Sequence, residues 1–255
     1  MREDQHVRGL IAMIVLSVTG LCWAQSADPA DAAFAIGEHD RALELYDARL
    51  QRDPDDVVAL VQSGLLLSWR NEFVEAVSRY ERVLALQPGH PRASLERAKV
   101  LSWDQRFTEA VDAYHSYLGD HPGDVEARLG LARCLSWMRH FDESREEFEA
   151  VLEEDSDNVD ARVGMARTYA WSGDLRQARQ WYEYALEVDP RNTDAELGLA
   201  YLYIWSGDPA RAYEQAQRLQ RRHPTDDDVA QLRDSAARAA SSSVGWRRCR
   251  RCACS

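Results

Sequence analysis

Five short phrases decide the fold: LSWRNEF at residues 67–73, LSWDQRF at 101–107, LSWMRHF at 135–141, YAWSGDL at 169–175 and YIWSGDP at 203–209. Their tryptophans, Trp69, Trp103, Trp137, Trp171 and Trp205, are evenly spaced and take five of the eight tryptophans in the chain. An interval of this length and constancy marks an internal repeat of one supersecondary unit. Other columns keep the same phase. Gly64, Ala98, Ala132, Ala166 and Ala200 form a small-residue column, and Ala42, Ala76, Ala110, Ser144, Ala178 and Ala212 form a second. Tyr46, Tyr80, Tyr114, Phe148 and Tyr182 form an aromatic column. Pro54, Pro88, Pro122, Pro190 and Pro224 punctuate the unit ends, with Ser156 as the single lapse.

The spacing within one unit predicts two antiparallel helices. In the unit that starts at Val159, Asn158 is a candidate N-cap, and Val163, Ala166 and Ala170 fall at helical spacing. The first helix is predicted to stop near Gly173, whose missing Cβ suits a left-handed turn, and Asp174 to cap the second. Trp181, Ala185 and Val188 continue that helix until Pro190 ends it, and Pro209 after Asp208 fits a capped start with proline in the first turn. Small residues at Ala166 and Ala178 let the two backbones approach, while the ring of Tyr182 fills the space between neighbouring units. Over residues 31–226 this pattern resembles the tetratricopeptide repeat, a 34-residue helix-turn-helix unit. The resemblance implies an all-α solenoid wound as a right-handed superhelix.

The 255 residues partition accordingly. Residues 1–24 read as a cleaved signal peptide: the apolar run LIAMIVLSVTGLCW at 10–23 is short for a bilayer span, and Cys22 and Ala24 stand at the small-residue cleavage positions. A lipoprotein reading through Cys22 and a retained membrane anchor are the alternatives, and Glu3 and Asp4 offset the charge of Arg2 and Arg8 at the start. Residues 25–56 are a partial first repeat with a shortened first helix around Phe34 and Ile36, and 57–226 hold five full repeats. At 227–240, Val229, Leu232, Ala236 and Ala239 make an amphipathic helix, either a solvating cap or the first helix of a further unit. The tail from 241 to 255 is expected to be disordered or frameshifted. Arg247, Arg248, Arg250 and Arg251 end an otherwise acidic chain whose only lysine is Lys99, a composition that GC-rich DNA yields out of frame; a basic interaction tail is the other reading.

The repeats depart from the family pattern at one place. An early tryptophan is usual in the first helix, but that column here reads Leu60, Ser94, Arg128, Arg162 and Glu196, and tryptophan sits near the helix C-terminus instead. With the leader and the repeat count, this W-x-x-x-F/L phrase is similar to the exported N-terminal repeats of YaiO-like outer-membrane β-barrel proteins. More loosely it is similar to the repeat regions of exopolysaccharide secretins. That resemblance implies a periplasmic location, possible outer-membrane association, and envelope proteins, an outer-membrane barrel or polysaccharide as partners.

A candidate groove follows from the same helices. Lys99, Arg133 and Arg167 stand four residues before Trp103, Trp137 and Trp171, one turn away on one helix face, with Leu95, Leu129 and Val163 a turn further back. Together with Trp69 and Trp205 they would form a basic and aromatic ladder, which the resemblance to tetratricopeptide arrays implies lines the concave face, suited to an anionic or glycan ligand through ring stacking and cation–π contacts. The alternative is that the rings are packing between repeats and the cations merely lie over them.

Composition excludes several other functions. Residues 25–243 carry a net charge of −16, which disfavours nucleic acid. Cys249, Cys252 and Cys254 cluster at the end without a nearby histidine, a poor basis for a closed metal site, and Cys134 reads as a buried apolar residue. Histidines are scattered, no nucleophile–base or glycine-rich phosphate motif occurs, and paired carboxylates in a distinctive context are absent from the sequence. Neither metal nor cofactor is expected. The sequence therefore points to a non-enzymatic periplasmic scaffold that mediates protein–protein interaction in outer-membrane or exopolysaccharide export, with a glycan-binding module as the alternative.

Overall fold

The structure is a computed structural model that describes the backbone of residues 28–252 and the side chains of residues 28–241. The expected signal peptide at 1–24 lies outside the described residues, as do the side chains of Cys249, Cys252 and Cys254. Among the described residues there are thirteen helices and no strand. They are α1 (Pro29–Ala35), α2 (His39–Arg52), α3 (Val57–Trp69), α4 (Phe73–Leu86), α5 (Pro91–Trp103) and α6 (Phe107–Asp120). There follow α7 (Val125–Trp137), α8 (Phe141–Glu154), α9 (Val159–Ser172), α10 (Leu175–Val188), α11 (Thr193–Trp205), α12 (Pro209–Arg222) and α13 (Asp227–Cys252).

The odd-numbered helices from α3 to α11 all open in one way. Side chains of Asp56, His90, Asp124, Asn158 and Asn192 accept a hydrogen bond from the backbone N–H of Ala59, Ala93, Ala127, Ala161 and Ala195, satisfying a donor that the first turn leaves free. Each pair then reverses through a tight turn whose recurring residue has positive φ: Gly37, Asn71, Gln105, Arg139, Gly173 and Gly207. At Gly173, with φ of 96°, the absent Cβ removes the steric cost of this conformation. Asp174 and Asp208 cap α10 and α12 through the N–H of Gln177 and Arg211, and Pro209 occupies the first turn of α12.

Two compact units follow along the chain, one ending at Asp104 and the other starting at Gln105. In the first, Tyr46 and Tyr80 are fully buried, and the Tyr46 hydroxyl donates to Asp31 of α1 at 2.6 Å. Burial raises the Tyr46 phenol well above the ordinary tyrosine range, and the bonded Asp31 carboxylate adds to the shift. In the second unit the aromatic column lands on glycines of the next pair. The ring edges of Tyr114, Phe148 and Tyr182 abut Gly130, Gly164 and Gly198, where any Cβ would collide with them. This glycine column shares the period of the tryptophans. The small positions Ala76, Ala98, Ala110, Ala132, Ala166, Ala178, Ala200 and Ala212 have no exposed surface, and Gly64 is buried against the Tyr80 ring.

Early in the first helices of the second unit, two arginines bridge to neighbouring elements. Arg128 donates to Glu147 at 2.7 Å and to the Pro122 carbonyl, and Arg162 donates to the carbonyls of Ser156 and Tyr184. At the far end α13 starts one repeat length after Thr193, where α11 starts, and Asp226 closes its first turn through the Val229 N–H. It therefore keeps the register of a first helix of the repeat. Its Val229 and Leu232 complete a buried cluster with Ala200, Ala216 and Leu219. The helix continues to Cys252, beyond the expected boundary at residue 240, through a stretch that contains no proline.

A candidate binding cleft

The tryptophan column closes the C-terminal ends of the first helices, and there the chain turns before the ring can be covered. Trp69, Trp103, Trp137, Trp171 and Trp205 retain between 37% and 59% of their surface. A core reading is therefore too simple, because side chains this large are usually buried more deeply.

In the first unit, Trp69 stacks on Phe34 at 5.9 Å and lies 5.0 Å from the His39 ring. Trp103 is about half exposed, and Lys99 on the same helix pairs with Glu96 at 3.2 Å. A separate depression of about 270 Å³ is lined mainly by Val57, Val58, Val61, Gln62, His90 and Arg92.

In the second unit the rings are brought together. Trp137 and Trp171 meet across neighbouring repeats at 4.9 Å between centroids, tilted by 46°, and Phe107 lies parallel to Trp137 at 6.1 Å. Each ring thus makes a contact between repeats and still presents surface to solvent. Tyr201 stacks on Trp205 at 6.1 Å. A cleft of about 520 Å³ is lined by Trp137 and Trp171, with Phe148, Gly164 and Ser136 also lining it. A second, of about 450 Å³, shares Trp137, Arg167, Trp171 and Asp194 with the first and extends to Tyr201, Trp205 and Asp228.

The electrostatics differ from the expected basic ladder. Arg133 pairs with Asp160 at 3.9 Å and Arg167 with Asp194 at 3.0 Å, each carboxylate lying on the first helix of the next repeat. The cation–π contacts found in this unit lie elsewhere, Arg139 over Phe141, Arg145 over Tyr169 and both Arg179 and Arg211 on Tyr203. Coulomb attraction explains the preference, since a carboxylate offers a full charge where an indole offers only a quadrupole. The signal was available in the sequence as another column of the same period, Glu126, Asp160, Asp194 and Asp228. Tyr201 takes the cation's place in the last repeat.

Behind the cleft wall sits a buried hydroxyl cluster. Ser136 bonds to Ser144 at 2.8 Å and to Thr168 at 2.6 Å, Ser144 donates to the Ala132 carbonyl, and Thr168 to the Gly164 carbonyl. Ser144, the one break in its alanine column, is thus satisfied rather than stranded. Tyr182 lines the second cleft, and burial pushes its phenol up to about 12, with Arg167 acting against that shift. Among the described residues no group of histidine, cysteine and carboxylate side chains is arranged to hold a metal ion, and no helix is long and apolar enough to cross a membrane.

The family model for the tetratricopeptide repeat matches residues 104–155, 138–183 and 172–235, which together span just over half of the chain. The chain belongs to the tetratricopeptide repeat family. Among solved structures, this tetratricopeptide chain is similar to a repeat protein from Parabacteroides merdae, at 19% identity and a TM-score of 0.73, over 85% of this chain and 90% of that one. It is similar to PilW, a widely conserved type IV pilus biogenesis factor, at 17% identity and 0.68, over 80% and 94%. It is also similar to YrrB, a tetratricopeptide protein with an unusual peptide-binding site, at 22% identity and 0.58, over 70% and 94%. At such identities the likeness is one of fold. No curated protein sequence matches the chain. None of these comparisons indicates an enzymatic family.

Proposed function

We propose that this protein is a non-catalytic scaffold that holds a partner protein on its tryptophan-bearing helix ends, in the periplasm, as part of outer-membrane or exopolysaccharide export. The observation that carries the reading is the recurrence of a half-exposed tryptophan at one position in every full repeat. Large aromatic side chains left open to water beside ordered polar groups are the usual anchors of protein interfaces. The pilus-biogenesis and peptide-binding descriptions of PilW and YrrB fit a scaffold role. Location and export machinery rest on the leader at residues 1–24 and the W-x-x-x-F/L phrase.

The test is crosslinking of the full chain in whole cells, followed by recovery from separated envelope and cytoplasmic fractions. Envelope proteins, an outer-membrane barrel among them, are expected in the wild-type eluate and depleted with Trp69→Ala and Trp103→Ala together. Recovery of the chain in the cytoplasm, or an unchanged eluate from the double variant, would overturn the proposal.

A further inference from the structure

We infer that the paired clefts of the second unit bind a neutral, polyhydroxylated chain, a glycan with repeating sugar units. This is a binding activity additional to the scaffold reading and does not depend on it. Three observations meet here. The indoles of Trp137 and Trp171 form the walls, tilted against each other and partly open to solvent. Arg167 and Asp194, in contact at 3.0 Å, line the same cleft, as do Arg133 and Asp160 at 3.9 Å. The arrangement then recurs, because the second cleft adds Trp205, Tyr201 and Asp228, which occupy in the next repeat the positions of Trp171, Arg167 and Asp194.

A ligand has to satisfy these groups without separating them. The side chains of both couples are 41–70% exposed, so a charged side chain laid over them would compete for one member and displace the water that serves the other. A purely apolar segment would cover both couples and satisfy neither. A sugar hydroxyl accepts from the guanidinium and donates to the carboxylate at once, so the pair stays intact and every polar group keeps a partner. The C–H faces of the same ring lie against indole, giving the mixture of apolar wall and few polar groups typical of ligand clefts. Two linked clefts built from one residue set call for a ligand that repeats as well. Because each cation is matched by an acid, net charge gives no preference for an anionic polymer.

Binding by the full-length protein can be read from tryptophan fluorescence and calorimetry against neutral hexasaccharides (cello-, malto- and chitin-derived), with oligogalacturonate and an uncharged polypeptide as comparators. Saturable binding of at least one neutral hexasaccharide is expected, little changed between about 50 mM and about 500 mM salt, a range over which exposed charges become screened. Trp171→Ala and Asp194→Asn should each weaken it by about tenfold or more. Asp194→Asn keeps side-chain shape, and native circular dichroism of that variant guards against a folding artefact. Binding of oligogalacturonate or polypeptide alone, or no binding to any neutral hexasaccharide, would overturn the inference. Capture of envelope proteins, scored separately with Trp69→Ala and Trp103→Ala, reports on the scaffold proposal and is unaffected by either result.

Discussion

At Gly164 a single added methyl group would stand inside the ring of Phe148. The ring is held between repeats and has almost no exposed surface, so moving it aside would disturb the packing around it. Gly164→Ala should therefore destabilise the protein by about 1–3 kcal/mol, read as a lower urea midpoint. Gly119→Ala is the contrasting case, an exposed helical glycine with open space around it, and should be neutral or stabilising by up to about 1 kcal/mol. The tyrosines supply a pH test. Burial pushes Tyr182 up to about 12, and burial together with its hydrogen bond to Asp124 does the same for Tyr117. A phenol whose folded pKa exceeds its unfolded value of about 10 keeps its proton longer in the native state. Its contribution is thus fully present below about pH 10 and is lost as pH rises toward 12. Alkaline titration followed by circular dichroism should show this loss, and Tyr182→Phe should reduce it while leaving neutral-pH stability nearly unchanged.

Among the elements, α13 packs on the helices that precede it. Leu232 is fully buried against Ala200, Ala216 and Leu219, and these residues belong to helices that would otherwise end the array with an apolar face in water. Leu232→Ala should cost about 2–5 kcal/mol, with the loss appearing first in α11 and α12 when hydrogen exchange is followed by helix. The helices themselves were legible in the sequence because their limits are set by single residues acting locally. Asn158, Gly173 and Asp174 announce a start, a stop and a new start within one unit. Other features were not legible for equally physical reasons. The turn residues Asn71, Gln105 and Arg139 adopt positive φ without being glycine, so one conformation is written in four residue types. The Arg–Asp pairs join residues in different repeats, and reading one column at a time showed cations without their acids.

For the molecule as a whole, stability is a sum over neighbours, since each helix pair covers its apolar surface only with the pairs beside it. Within the second unit α8, α9 and α10 pack on helices before and after them, whereas α13 follows the last described pair. Native-state hydrogen exchange should therefore be slowest in α8–α10 and faster toward α13, a gradient rather than one uniform value. A single uniform protection factor across the unit would contradict this additive picture. The reach of Arg167 to Asp194 has a further consequence for how such a chain can grow. Every repeat whose first helix carries an acid in its first turn and an arginine seven residues later is a self-compatible module: duplicated in tandem, it supplies at each new junction the same pair it had at the old one. Tyr201, standing where Arg133 and Arg167 stand in earlier copies, ends that series and marks the last position at which duplication would preserve the pairing. Lengthening of the array by gene duplication would thus extend the cleft-bearing face without redesign, as long as the copied segment lies upstream of Tyr201.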